Sequence, residues 1–375
     1  MPTFTDPAGR ALTDRARPGS SGGRRRSRPA YGLLVLAAVL TTVAGASAPM
    51  TAEPVGVPVL GRVDLGDTAS VLVVPGRPGR NLVRVPSAEY AVGAAPTALT
   101  PATVRVGGGG AWATVELAPG QRTVWIGRAG RTAALPVPVG TGPRALDELT
   151  GPDGPECATA ALGRLAAGEH GPLASCPAQR LTVPDRAALF AAVRFVASRG
   201  GDEISVVGDD SPRSREAARA VAAEAGRRGV AVDPAARGPV FILSGWDLAH
   251  RTLREVADGR RAAPAGAYLA PWLLHAPLLG EPVGQVVPLA FGPLDPGTQR
   301  YLGALAAVAP DVPPSAAGYQ AYLEANGGHL TGPVRLYAAA RLTVPGDFAG
   351  HGGHHGTAWL PGGTVTPVTA ALNAG

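Results

Sequence analysis

Glu203-Ile204-Ser205-Val206-Val207-Gly208-Asp209-Asp210-Ser211-Pro212 and, further on, Pro239-Val240-Phe241-Ile242-Leu243-Ser244-Gly245-Trp246 share one plan. Each is a short run of β-branched and apolar residues, then a break of Gly, Asp or Ser, then a helix start. An apolar run of this length between turn residues reads as a buried strand. Ser211-Pro212 reads as an N-cap followed by proline in the first turn, and the helix it opens extends to about residue 228.

Working outward, the alternation continues. Thr182-Val183-Pro184-Asp185 resembles a capping box, and Leu189, Phe190, Val193 and Val196 recur at helical spacing, which predicts a helix over 184–198. Further helices are expected over 247–256, 297–308 and 315–325, and further strands over 267–270 and 285–291. Strands alternating with helices imply a mostly parallel sheet covered on both faces.

Upstream the period changes. Short runs at 55–63, 69–74, 81–85, 102–106, 111–117, 122–126 and 132–139 are rich in Val, Leu, Ile, Thr and Trp and are broken by Gly, Pro and Asp. Seven such strands predict an antiparallel β-sandwich with one wet face, since Thr114-Val115-Glu116-Leu117 alternates cleanly. Residues 141–156 read as a linker. The fold class expected is therefore α/β plus all-β: a leader over 1–48, a sandwich over 49–142, and an α/β domain over 143–375.

Charge locates the chain rather than naming a polyanionic partner. All 34 basic residues are arginine, and seven of them stand with two acids in the first 30 residues, so the overall charge of +6 falls to +1 beyond that point. Nucleic acid is excluded as a partner because no basic stripe remains. The arginines precede an apolar stretch over 31–48 that ends in small residues, the pattern of an export signal. Cleavage after Ala46 fits best, because cutting after Ala48 would place Pro49 next to the broken bond. A stretch of this length also matches a membrane span of ~17 to 25 residues, so a retained membrane anchor is the second reading. Either way the remainder is extracytoplasmic, secreted or held at the cell membrane. Cys157 and Cys176 are then expected to form a local disulfide.

Two resemblances follow. Val73-Val74-Pro75-Gly76-Arg77-Pro78-Gly79-Arg80-Asn81-Leu82-Val83 resembles the opening of the YtkA-like domain, a small sandwich found beside copper-resistance membrane proteins. The same residues also read as a tight turn that delivers Asn81 into a strand. Residues 200–370 resemble one truncated lobe of a type I periplasmic ligand-binding protein of the branched-chain amino-acid class. The stretches at 203–211 and 240–246 carry that likeness, together with Pro314-Ser315-Ala316-Ala317-Gly318-Tyr319-Gln320-Ala321-Tyr322 and Trp359-Leu360-Pro361-Gly362-Gly363. The combination is also similar to actinobacterial envelope proteins.

In open α/β sheets ligands sit beyond the carboxyl ends of the strands. The candidate ligand-binding residues are therefore Asp210, Ser211, Ser244, Trp246, Trp272 and His275. Free amides at helix starts suit a carboxylate, and a tryptophan suits an apolar body. The alternative is that Asp210 and Ser211 are caps and that the tryptophans pack between layers. Separately, Gly350-His351-Gly352-Gly353-His354-His355-Gly356 gathers three of the seven histidines, and imidazole suits copper or zinc. His351, His354 and His355 are the candidate metal ligands, with Asp347 the nearest carboxylate; a solvated surface loop is the competing reading. Beyond the leader the chain carries no Gly-x-Ser-x-Gly elbow, phosphate-binding Gly-x-x-x-x-Gly-Lys loop or His-Glu-x-x-His helix. The expectation is a non-catalytic envelope protein that binds a small molecule or a membrane-protein partner, with copper or zinc handling as the alternative.

Overall fold

The computed structural model describes residues 56–105, 109–140, 147–173, 175–341 and 359–372, and these belong to one compact unit, Met50–Gly375. The leader lies outside the described residues. Among those described, no helix is long and apolar enough to cross a membrane.

The first part is a sandwich of nine short strands among the described residues. One sheet runs β1(Val59–Asp64), β2(Thr68–Val74), β3(Gly79–Val85), β7(Ala111–Leu117), β6(Thr103–Val104). The other runs β5(Ala98–Pro101), β4(Tyr90–Ala95), β8(Thr123–Arg128), β9(Arg131–Pro136), and every pairing is antiparallel. Strands β4 and β5 escaped the sequence pattern because Ala and Gly carry little β preference, and their pairing with each other and with β8 holds them instead.

Alternation along β2 explains how the sandwich joins the rest. Val71 and Val73 face the inter-sheet core with Val83, Val115 and Ile126. Leu72 and Val74 face the other way and share a core with Leu82, Trp112 and residues of α1(Gly154–Ala166). The outer face of this sheet is therefore covered by helix where the sequence suggested water. Arg84 ties the contact with its guanidinium 3.0 Å from Asp311 Oδ2 and 3.0 Å from the Asp311 carbonyl.

The second part carries a seven-stranded sheet in the order β11(Ala231–Val232), β10(Glu203–Val207), β12(Val240–Ile242), β13(Ala267–Leu269), β14(Gln285–Leu289), β15(Arg335–Arg341), β16(Gly363–Pro367). The first five are mutually parallel; β15 runs against β14, and β16 runs against β15. The helices are α1, α2(Val183–Ser198), α3(Pro212–Arg227), α4(Trp246–Ala257), α5(Ala276–Leu279), α6(Pro296–Val308) and α7(Ala316–Ala325).

The expected linker ends in a 3₁₀ turn and then becomes α1. Its sequence, GPECATAALGRLA, has large apolar residues only at Leu162 and Leu165, too few to mark a helical stripe. Small residues are what its position requires, because α1 crosses α7 so closely that a methyl group on Gly163 would overlap the Gly318 carbonyl oxygen. Thr159 and Ser315 hydroxyls join the two helices at 2.8 Å. The expected disulfide is formed between Cys157 and Cys176, with Cα atoms 5.0 Å apart, and it pins α1 to the chain entering α2.

Candidate functional site at the carboxyl edge of the sheet

Loops after β10, β12 and β13 meet at the carboxyl edge, where the parallel strands end. Ser244, Trp246, Trp272 and His275 come together there as one buried stack. Trp246 lies on His275, ring centroids 4.1 Å apart and planes 12° from parallel. Its indole N–H donates to the Trp272 carbonyl at 3.2 Å, and the Trp272 indole N–H donates to the Ser244 carbonyl at 2.9 Å. His275 Nδ1 lies 2.9 Å from the Pro314 carbonyl. These groups satisfy one another and the backbone. Asp210 stands apart and exposed. Ser211 caps α3, its hydroxyl accepting from the Ser214 amide at 3.2 Å.

The amides at the start of α4 already hold carboxylates from this chain. Asp209 Oδ2 accepts from the Gly245 amide at 2.5 Å, while Oδ1 accepts from the Ser211 amide at 2.9 Å. Burial works against the Asp209 charge, yet these hydrogen bonds hold its carboxyl below the usual range. Asp153 approaches the same turn from the loop before α1, so close that a methyl group on Gly245 would overlap its carboxylate. Two carboxylates thus occupy the positive end of one helix, where the sequence reading left room for a ligand.

The most strongly charged feature was not visible in the sequence. Arg213, on the first turn of α3, forms a two-pronged pair with Glu156 of α1 at 2.6 and 2.7 Å, and both side chains are buried. The guanidinium lies 4.3 Å from the Trp272 ring centroid. Burial opposes its charge, but Glu156, Asp185 and Asp153 outweigh that and raise its pKa further. Asp185 accepts a hydrogen bond from the Thr182 hydroxyl at 2.6 Å, and burial pushes its carboxyl up. The Asp153 carboxyl is pushed up to about 6, by burial first and then by the charges of Glu156 and Asp209, and its Oδ1 has no hydrogen-bond partner. Four carboxylates, Asp153, Glu156, Asp185 and Asp209, therefore surround one guanidinium. Only a pair 57 residues apart and brought together by folding creates this, so no local motif announces it.

A pit of about 20 Å³ remains beside this cluster, lined by Glu156, Asp185, Arg213, Trp272 and Phe291. It has room for roughly one water. The histidine candidates His351, His354 and His355, with Asp347, lie outside the described residues. Among the described residues no group of three or more His, Cys, Asp or Glu is placed to hold a metal.

No family model and no curated protein matches the chain. Several solved structures do. A substrate-binding protein of an ABC transporter from Desulfitobacterium hafniense, in complex with Leu, is 14% identical with a TM-score of 0.29 over 41% of this chain and 62% of its own. A branched-chain amino-acid transporter's periplasmic ligand-binding protein from Burkholderia xenovorans is 12% identical, TM-score 0.36, over 49% of this chain and 62% of its own. A solute-binding protein from R. palustris in complex with benzoate is 11% identical, TM-score 0.31, over 38% and 46%. The chain spans less than two thirds of the length of each of these three proteins, all of them solute- or ligand-binding proteins of transporters.

Proposed function

We propose that this chain is an exported, non-catalytic cell-envelope protein whose α/β part is a small-molecule-binding module, with the sandwich as the rigid base it is mounted on. A groove beside the carboxyl edge carries the reading: about 370 Å³ stands open between α1, α7 and the chain from Cys176 to Thr182, the size of a small-molecule site, next to the buried pair of Arg213 and Glu156. The disulfide supports an oxidising location. The shared core of Leu72, Val74, Leu82 and Trp112 with α1 supports a fixed mounting, and the likeness of the sandwich to a YtkA-like domain belongs to the same proposal. Screening the purified chain by thermal shift against amino acids and small carboxylic acids tests it. A ligand at 100 times its Kd adds about 2.7 kcal/mol and raises Tm by several degrees. No shift with any of them in a folded sample overturns the reading.

The histidine cluster favours a second reading, extracytoplasmic copper or zinc handling through His351, His354 and His355. Titration of the chain and of a triple alanine variant with each metal separates the two. Metal handling requires stoichiometric binding that the variant loses; equal weak binding by both removes it.

A further inference from the structure

The carboxyl-edge stack is filled, but a groove beside it is open. About 370 Å³ in volume, it runs between α1 and α7 on one side and the chain from Cys176 to Thr182 on the other. That lies within the ~300–1,000 Å³ of small-molecule sites. Its floor is Ala160, Ala317 and Ala321, three buried alanines that form an apolar cluster of their own. Small side chains leave there the space a ligand body would fill.

The rim supplies charge. Arg180 is exposed and stands where the groove meets the pit over Arg213, lining both. Among the described residues its guanidinium has no carboxylate partner, whereas Arg164 on the same rim is held by Glu169. Glu324 is the acid of this rim, and the Gln320 amide donates to it at 3.1 Å. Glu169 neutralises Arg164, so the charges left to the rim are Arg180 and Glu324, and Arg180 is the guanidinium open to an anion. Glu156 and Asp185 keep a second negative group out of the pit.

The groove wall is fixed from both ends. The disulfide ties Cys176 to α1. Leu173 is gripped by the sandwich, its amide donating to the Gly56 carbonyl at 2.9 Å and its carbonyl accepting from Arg77 Nη2 at 3.3 Å. The turn that resembled a family signature therefore positions one wall of this groove.

We propose that this groove is the ligand site and that it takes a small monocarboxylate with an apolar body of a few carbons. The carboxylate pairs with Arg180 and the body covers Ala160, Ala317 and Ala321. A planar fork suits a carboxylate, and burial of the body over alanine supplies the remaining affinity. This rests on the reading of the α/β part as a binding module.

Hexanoate is the probe, titrated calorimetrically into the full chain beside hexanol, hexylamine and inorganic phosphate. The expected result is saturable binding of hexanoate, at least tenfold tighter than the other three. Arg180→Gln should weaken it tenfold or more, and Ala321→Leu should abolish it by filling the floor, with circular dichroism melts confirming that both variants fold. Equal affinity for hexanol and hexanoate, or hexanoate binding that neither variant changes, overturns the assignment. A ligand from the thermal-shift panel that binds both variants as it binds the parent overturns this site and leaves the binding-module reading standing. A folded chain that binds nothing overturns both.

Discussion

Asn81 in the sandwich and Arg213 in the α/β part are both buried polar residues, 0% and 3% exposed, with opposite surroundings. Asn81 is neutral and answered by backbone: its carbonyl accepts from the Gly76 and Arg77 amides at 2.8 and 3.2 Å, and its amide donates to the Arg77 and Gly79 carbonyls at 2.7 and 2.9 Å. Nothing there titrates, and the partners lie within five residues. Arg213 is charged, its partner comes from another helix, and the carboxylates around it exceed its charge. A closed, neutral network holds a turn. An unbalanced, charged one makes a region responsive to pH and to added charge.

Removing one charge at the sheet edge should break this contrast most severely. Glu156→Gln leaves the Arg213 guanidinium buried without its pair and should cost about 3–5 kcal/mol in urea unfolding, while a Glu156→Gln/Arg213→Met double variant should recover most of it. Cys157→Ser with Cys176→Ser should cost about 3 kcal/mol, since the bridge spans 19 residues. Asn81→Ala should cost about 2 kcal/mol, with no dependence on pH between 4 and 8, because the lost bonds join uncharged groups. If the stability lost on Asn81→Ala changes between pH 4 and pH 8, the contrast fails.

How much of this was legible follows from where the information sits. The helix expected over 184–198 is α2, and the cap at Ser211 opens α3, because caps and helical stripes are local. The turn at 73–83 was readable from Gly76, whose φ of +75° suits glycine and whose added methyl would strike the Val57 carbonyl. Helix α1 was invisible because close crossing with α7 selects small residues, which carry no stripe. Of the residues picked for the site, Ser244, Trp246, Trp272 and His275 do converge, as the carboxyl-edge rule directs, yet they pack on one another. Sequence could place them at the edge; it could not show that Asp153 and Asp209 would cover the start of α4, since Asp153 comes from outside the strand-loop pattern. Arg180 stayed hidden for the same reason, its groove being made by α1, α7 and a disulfide-held segment.

The smallest effect is also the most specific to the edge. With the Asp153 carboxyl pushed up to about 6 in the folded chain, from 3.8 for a free aspartate, folding takes up a proton between those values. Stability from this group is therefore complete below about pH 4 and is lost as pH rises through about 6, the reverse of an ordinary ion-paired aspartate. The full shift corresponds to about 3 kcal/mol, and partial solvent contact reduces what is measurable to about 1–2. Asp153→Asn keeps the size and an acceptor oxygen without the charge. It should raise stability at pH 7.5 by that amount, leave it unchanged at pH 4, and flatten the parent's decline between the two in chemical denaturation. An Asn variant equally stabilised at both pH values would mean that hydrogen bonding, not charge crowding by Glu156 and Asp209, governs this corner, and the responsive character assigned to the sheet edge would have to rest on Asp185 instead.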